Sequence, residues 1–283
     1  MNIHAEPFWV PKQGHHEEEY EDAVWPPEPR DYPAADVHLA IADGATESSY
    51  ARDWARLLVQ AVGQERLQLH PLPDGTDASR TEYCRLDGIA AVRTEWCQIL
   101  AGKTLPWYAE EKARQGAFAA LVVLELTVQE SSGAWEGTWR AAAVGDSCLF
   151  HIRGDELLAR FPLDSAAAFS SRPFLLGSVR TAGDERIPYR EGFWKQGDYF
   201  YLMTDALACW FLHAIEAGAA RPGTVRSVLA ASDPSAYFRE WMTSLREQGV
   251  VRNDDCTLLI VDTEGRELGD GQQVLPVTTT APE

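Results

Sequence analysis

Hydrophobic and polar positions follow two different periods along the chain, and these periods predict strands and helices. Nearly continuous apolar runs are typical of buried strands, and they occur at 37–43, 118–128, 198–205 and 256–262. From 48 to 64 the apolar positions recur every three or four residues instead, which predicts an amphipathic helix. Ser48 or Ser49 is placed to cap the start of that helix.

The remaining segments complete an α+β pattern. Strands joined by a hairpin turn are predicted within 138–161, and a Pro-rich loop within 26–36. Further helices are predicted at 80–100, 206–217, 222–231 and 234–248. Strands, then helices, then strands indicate a layered α+β domain and not a regular βαβ alternation. With no internal repeat and no break in composition, we expect one domain over 1–263 and a polar tail over 264–283.

Composition places the chain among ordinary globular proteins. Of its 283 residues, 45% are hydrophobic and 24% charged, enough to bury a substantial core. The five cysteines are far apart and form no CxxC pair, so neither a disulfide framework nor a zinc cluster is indicated. The N-terminal residues lack the pattern of a signal peptide, and no apolar run approaches the roughly 18 residues of a membrane span. We therefore expect a cytoplasmic protein without a membrane partner.

The net charge of −18 argues against nucleic-acid partners, because binding to phosphate backbones depends on clustered Lys and Arg. Two explanations of the acidity stay open. It either serves solubility, or part of it marks a site for a divalent cation, where carboxylates concentrate against their own repulsion.

Acidic residues stand at the ends of the predicted strands. Each follows or precedes an apolar run: Glu21-Asp22, Asp43, Asp146, Asp205 and Asp254-Asp255. One such residue alone is typical of a turn in which a carboxylate bonds a nearby backbone amide. Five places in one chain predict instead that the carboxylates converge where the strands meet.

Converging carboxylates repel one another unless a cation lies between them. Oxygen ligands favour Mg²⁺ or Mn²⁺. Two such ions sharing one Asp can activate a water molecule for in-line attack on a phosphoryl group. The strand-end acids therefore predict a metal-dependent phosphohydrolase.

Six segments carry a resemblance to a known family. They are 19–24, 38–48, 114–126, 142–153, 197–210 and 252–262. Their order and spacing resemble the successive motifs of the metal-dependent protein phosphatases, the type 2C or PPM family. The resemblance implies a four-layer α-β-β-α sandwich of two antiparallel sheets flanked by helices. It also implies a site for two Mg²⁺ or Mn²⁺ ions at one end of the sandwich.

The same resemblance implies roles for individual residues. Asp43 would bridge the two ions, Gly44 would contribute its backbone carbonyl, and Asp205 and Asp254 would complete the shell of the first ion. Glu21 and Asp22 would orient waters and the nucleophile. The implied activity is hydrolysis of phosphoserine or phosphothreonine in a protein, with a cognate Ser/Thr kinase or its target as a further partner.

The chain departs from the family pattern at the phosphate-binding residue. The family carries an Arg four residues before the Glu of the Glu-Asp pair, but this chain has Glu17 there. Phosphate contact by Lys12 or His16 is one expectation, and the sequence does not decide among the nearby and loop candidates Lys12, His15, His16, Arg30 and Arg172.

A second departure lies after Asp205, where Ala206 and Cys209 replace the expected Gly and acid. Asp146 has the context of a weak third metal ligand without its usual partner, and a structural role for it stays open. These changes support an alternative function: a pseudophosphatase, a regulatory or binding module that keeps the fold with weak or no turnover.

Overall fold

The computed structural model describes most of the chain: residues 2–33, 36–46, 48, 50–73, 82–102, 113, 115–131, 134–170, 172–180 and 186–264. All but the first residue of the predicted tail lie outside this range. None of the described helices has the length and apolar character that crossing a bilayer requires.

The described residues form fifteen strands. They are β1 Asn2–Val10, β2 Ala23–Trp25, β3 Arg30–Pro33, β4 Val37–Gly44, β5 Gln68–Leu72, β6 Tyr83–Asp87, β7 Phe118–Leu126, β8 Gln129–Ser131, β9 Ala134–Val144, β10 Cys148–Arg153, β11 Glu156–Phe161, β12 Leu176–Gly177, β13 Ile187–Lys195, β14 Asp198–Met203 and β15 Cys256–Asp262.

The described α-helices are α1 Ala51–Gly63, α2 Ile89–Ala101, α3 Asp205–Glu216 and α4 Pro234–Glu247. Short 3-10 helices cover Glu17–Glu19, Ala166–Ala168 and Pro222–Ala230. The last of these replaces the helix predicted over 222–231.

The strands form two antiparallel sheets. The first has the order β11-β10-β14-β15-β1-β3, and the second has the order β2-β4-β7-β9-β13-β6-β5, with β12 beside β7 and β8 beside β9. The inner faces of the sheets bury an apolar layer that includes Leu39, Leu124, Leu202 and Leu259. The two sheets are thus packed face to face, as in a sandwich.

Helices cover both outer faces of the sandwich. Trp54 and Leu58 of α1 and Trp96 of α2 pack on the second sheet, and Phe211 of α3 and Phe238 of α4 pack on the first. The predicted four-layer α-β-β-α architecture of the α+β class is therefore confirmed.

Helix α1 shows how the local pattern becomes structure. Its apolar stripe is buried, and the Trp54 indole N–H donates a 2.9 Å hydrogen bond to the carbonyl of Leu176. The predicted cap by Ser48 is wrong: the helix starts at Ala51, after Tyr50 in the left-handed conformation. Ser48 donates instead to the Ala45 carbonyl at 2.9 Å.

Two other local predictions are wrong. Residues 83–87, predicted as the start of a helix, form strand β6, and Gly88 with a φ of 99° separates that strand from α2. A Cβ at Gly88 would lie 1.9 Å from the Arg66 carbonyl oxygen, so only glycine fits this turn. In the predicted Pro-rich loop, 30–33 pair with β1 at the edge of the first sheet, where a proline is tolerated.

Candidate metal and phosphate site

The register of the first sheet brings three of the predicted acids to the same end of neighbouring strands. Strand β14 pairs with both β10 and β15, and Met203 lies opposite Cys148 on one side and Leu258 on the other. Asp146 precedes β10, Asp205 follows β14 and Asp254 precedes β15. All three therefore lie at the same end of the sandwich.

The second sheet adds two more acids at that end. Ala23 of β2 pairs with Ala42 of β4, so Asp22 and Asp43 stand next to each other. Burial, and then the charges of four other acids, raise the pKa of Asp43 well above its usual range; those acids are Asp22, Asp205, Asp146 and Asp254. We call these five aspartates, Asp22, Asp43, Asp146, Asp205 and Asp254, the acidic end.

Other aspartates of the acidic end also have raised pKa values. Burial raises the pKa of Asp22 well above its ordinary value, with Asp255 and Asp205 adding to the rise. Burial, and then Asp205, raise the pKa of Asp146 to about 6. Burial also raises the pKa of Asp205, although Arg252 opposes the rise. Like charges held together out of water favour either protonation or a bound cation.

The residues present fit Mg²⁺ or Mn²⁺. The donors are oxygens, and Asp205 Oδ1 is buried with no hydrogen-bond partner, which leaves one acceptor free for a ligand. At Gly44 a Cβ would lie 2.7 Å from the Glu21 carbonyl oxygen, so glycine alone allows the close approach of these two backbones. Among the described residues, no three His, Cys, Asp or Glu side chains are already gathered into a complete ligand set.

A cation of the chain itself lies in the acidic end. Arg252 Nη2 donates to Asp205 Oδ2 and lies 3.1 Å from Asp254 Oδ2. The Arg252 side chain is 60% exposed, so the guanidinium reaches these carboxylates from the solvent side. It partly offsets the repulsion between two predicted metal ligands.

Asp22 is held by a chain of hydroxyl groups that joins the two sheets. Thr257 Oγ1 donates to Asp22 Oδ2 at 2.6 Å and accepts from the Tyr20 hydroxyl at 2.5 Å. The Thr257 backbone N–H in turn donates to Thr204 Oγ1 at 2.9 Å. Asp22 is 1% exposed, so these bonds fix its carboxyl in one orientation.

Asp255, the acid added beside Asp254, organises the backbone around the site. Its two oxygens accept from the backbone N–H groups of Lys12 and Glu21, each at 2.8 Å. The carboxylate is buried, so it connects the segment after β1 to the segment that carries the Glu-Asp pair. Its role is structural.

The predicted phosphate contacts lie in different surroundings. Lys12 Nζ is 4.0 Å from Glu21 Oε2 and is mostly buried, which places it next to one predicted site residue. His16 is exposed, and its backbone N–H donates to Glu19 Oε2 at 2.9 Å. The Arg30 guanidinium lies 4.9 Å from the ring centre of Tyr32.

Arg252, Thr204 and Thr257 were not predicted from the sequence. Arg252 stands two residues before Asp254 within one of the quoted motifs, and an arginine so close to a ligand is the one signal that was present. Thr204 and Thr257 carry no such signal, because their contacts with Asp22 depend on how the two sheets pack.

Comparison with known proteins supports the fold. Neither a protein-family model nor a curated protein matches the sequence. The Mycobacterium tuberculosis serine/threonine phosphatase PstP/Ppp is 16% identical, with 94% of this chain and 100% of that chain aligned at a TM-score of 0.51. The chain therefore has the fold of a serine/threonine phosphatase, as the resemblance implied.

Two further solved structures align over a similar length. The catalytic domain of PstP in complex with two manganese ions is 16% identical over 92% of this chain and 98% of that chain, at a TM-score of 0.49. PppA, a key regulatory component of T6SS in Pseudomonas aeruginosa, is 20% identical over 93% of this chain and 98% of that chain, at a TM-score of 0.48.

Proposed function

We propose that this protein is a divergent metal-dependent protein phosphatase of the type 2C or PPM kind. Its substrate class is phosphoserine or phosphothreonine in a partner protein. The observation that carries the proposal is the acidic end, where aspartates from both sheets meet and raise one another's pKa. The fold, which resembles that of a serine/threonine phosphatase, supports it further.

The residues that would hold two Mn²⁺ or Mg²⁺ ions are Asp43, the Gly44 carbonyl, Asp205 and Asp254, with Asp146 as a weak third position. Such ions lower the pKa of water and neutralise charge on phosphoryl oxygens. Asp205 supports this assignment with its unpartnered buried oxygen. Arg252 occupies the Oδ2 atoms of Asp205 and Asp254 and therefore competes with a metal ion for these two carboxylates.

The chain's other acids have positioning roles. Asp22 is fixed by its hydrogen bond from Thr257 and by a further side-chain hydrogen bond with Thr204, so its carboxyl has a defined orientation toward the site. Glu21 is anchored through its backbone by Asp255, and its carboxylate lies near Lys12. Both acids would thus orient water on the side where Asp43 stands.

Hydrolysis of an aryl phosphate and a phosphothreonine peptide with and without Mn²⁺ tests this function. We expect turnover to require Mn²⁺ and to be abolished, together with tight Mn²⁺ binding, in Asp43→Asn. Asp155→Asn is the matched control, because Asp155 is an exposed acid in the turn that follows β10, away from Asp146. Absence of Mn²⁺ binding in the wild-type protein would refute the site.

The pseudophosphatase is the second candidate, and Arg252 is the observation that favours it. A guanidinium that neutralises Asp205 and Asp254 can stabilise the fold without any metal. Mn²⁺ binding by isothermal titration calorimetry, with no turnover of any phosphopeptide, would select this alternative over the enzyme.

The proposed partners are a phosphoprotein substrate and a cognate Ser/Thr kinase or the target of that kinase. The proposed location is the cytoplasm. Comparing phosphopeptides with small phosphate esters tests the substrate class. A preference for small esters by kcat/KM would contradict a protein substrate.

A further inference from the structure

A cavity of about 530 Å³ opens beside the acidic end, and Asp22 forms part of its wall. The 3-10 helix Glu17–Glu19 contributes Glu17, and Tyr20 follows it. Helix α1 contributes Arg52 and Arg56. The cavity therefore has one wall in common with the acidic end and carries two guanidinium groups.

The two arginines lie on one side of α1. They are four residues apart, and side chains at this spacing are neighbours on a helix surface. Burial lowers the pKa of Arg56, and the nearby Arg52 adds to the fall, so the two guanidinium groups are close enough to repel each other. No hydrogen bond or ion pair joins the Arg56 guanidinium to any described residue. The pair thus has capacity for an anion.

Arg52 is held in place without using all its donors. Its Nη1 donates to the backbone carbonyl of Glu18, and its Nε is buried with no hydrogen-bond partner in the described structure. A guanidinium offers five N–H donors in a planar fork, and this fork matches two oxygens of a phosphate group. An unpartnered buried donor of this kind favours an anionic ligand.

The position of α1 connects Arg52 to the predicted metal ligands. A Cβ on Gly44 would lie 3.0 Å from the backbone carbon of Ala51, so the helix begins directly against the end of β4. Arg52 is the next residue, and Arg56 follows about one turn, roughly 6 Å, further along α1. Arg52 is therefore the nearer of the two to the acidic end.

The cavity also contains carboxylates. Glu17 and Glu18 line it, but both residues are exposed to solvent. The buried Asp22 in the wall accepts a hydrogen bond from Thr257 at 2.6 Å. Asp53 raises the pKa of Arg56 slightly against the other effects. Solvent screens exposed acids strongly, so they weaken the attraction for an anion less than buried acids would.

We propose that Arg52 and Arg56 form the phosphate-binding subsite of this protein, with Arg52 as the principal contact to the phosphoryl group of the substrate. The proposal rests on the proposed function. It accounts for Glu17, which lines the same cavity at the position where the family resemblance implied an arginine. The positive charge comes from helix α1 instead of from the segment before the Glu-Asp pair.

The test uses inorganic phosphate as the probe and the full chain loaded with Mg²⁺. Isothermal titration calorimetry measures phosphate binding to the wild-type protein and to Arg52→Gln, Arg56→Gln and Arg52→Lys. We expect Arg52→Gln to weaken phosphate binding by about tenfold or more, because charged hydrogen bonds are lost, and Arg56→Gln to weaken it less. Arg52→Lys should recover only part of the loss, because Lys keeps the charge without the fork.

Two controls separate this test from the proposed function. Arg66→Gln removes an exposed arginine that is already paired with Glu95 at 2.7 Å, and phosphate affinity should not change. Mg²⁺ affinity and the melting temperature should also stay at wild-type values in Arg56→Gln, since that side chain has no described partner. If the wild-type protein turns over phosphopeptide, KM should rise more than kcat falls in Arg52→Gln.

Unchanged phosphate affinity in both Arg→Gln variants, with Mg²⁺ binding intact, would overturn the subsite. Absence of phosphate binding by the Mg²⁺-loaded wild-type protein would also overturn it. A protein that binds phosphate through Arg52 and yet shows no turnover would support the subsite while refuting the enzyme. The two proposals can therefore fail separately.

Discussion

The two ends of strand β14 hold buried aspartates in opposite electrostatic states. At its start, the carboxylate of Asp198 is fully buried and accepts from His151 at 2.8 Å, from Arg153 at 2.7 and 2.8 Å, and from the Lys195 backbone N–H at 2.9 Å. After its other end, Asp205 is 9% exposed, keeps one unpartnered oxygen and faces other acids. One strand thus connects a carboxylate whose oxygens are fully hydrogen-bonded to a carboxylate that keeps an unpartnered oxygen among other acids.

The pKa values record this difference. Burial raises the pKa of Asp198, but the hydrogen bonds from His151 and Arg153 outweigh burial and lower it to about 2. Burial and repulsion from Asp254 raise the pKa of Asp205 despite Arg252. The first end therefore stabilises the fold, whereas the second end costs stability and is suited to binding a cation.

Removing the satisfied carboxylate should have the largest effect on stability. We expect Asp198→Ala to lower the free energy of unfolding by about 3 to 5 kcal/mol, because buried donors of His151 and the backbone lose their acceptor. Urea unfolding measures the change. Asp87→Ala is the control: Asp87 pairs with Arg85 at 2.7 Å on the surface, where solvent screens the pair and we expect almost no loss of stability. Equal losses in both variants would contradict the comparison.

The next effect is a pH dependence from the same group. Because the folded pKa of Asp198 is about 2, below the usual 3.8, its stabilisation is complete above the unfolded pKa and is lost as pH falls towards 2. The loss amounts to about 2 kcal/mol over that window. Unfolding of the wild type and of Asp198→Asn should be compared between pH 5 and pH 2. Parallel curves would show that Asp198 contributes nothing.

At the acidic end, removing a carboxylate should raise the free energy of unfolding instead of lowering it. With a chelator present, we expect Asp43→Asn to raise the free energy of unfolding by about 1 kcal/mol, as loss of a strained functional residue commonly does. The pKa of Asp43 is raised, so its ionisation weakens the folded state as pH increases, and the gain should be larger at pH 8 than at pH 5. Thermal unfolding checks this, with Asp155→Asn as the control. Destabilisation of Asp43→Asn at pH 8 would refute the conclusion that repulsion among the acids destabilises the acidic end.

An element of the fold was predictable where its own sequence determines it, and was missed where it depends on residues distant in sequence. Strand β15 is buried along its whole length and mostly apolar, and it was predicted with its observed bounds, 256–262. Strand β1 was missed because polar residues interrupt it, and His4 is buried only through its bonds to Glu6 and Asp31, at 3.2 and 2.8 Å. Strand β6 was mistaken for helix because its extended state depends on pairing with β5 and β13, distant in sequence.

The same division applies to the site. Asp43, Asp146, Asp205 and Asp254 were predicted because each borders an apolar run, and the structure gathers them at one end. The partners that set their chemistry were not predictable. Arg252 reaches Asp205 because β14 and β15 are neighbours in one sheet, and Thr257 reaches Asp22 because the two sheets pack together. Arg52 lies on the polar side of a helix whose pattern indicates burial alone.

The smallest predicted effect concerns Arg252, the cationic side chain in the acidic end. Arg252→Gln removes a guanidinium that competes for Asp205 and Asp254, so Mn²⁺ should bind more tightly, by up to about fivefold for so exposed a pair. The apo protein should lose a little stability, because repulsion among the acids then lacks its counter-charge. Calorimetric titration with Mn²⁺ measures the first effect, and Arg226→Gln, at the other end of the sheet beside Gly154, is the control. Weaker Mn²⁺ binding in Arg252→Gln would mean that Arg252 positions the two carboxylates for the metal and does not compete with it.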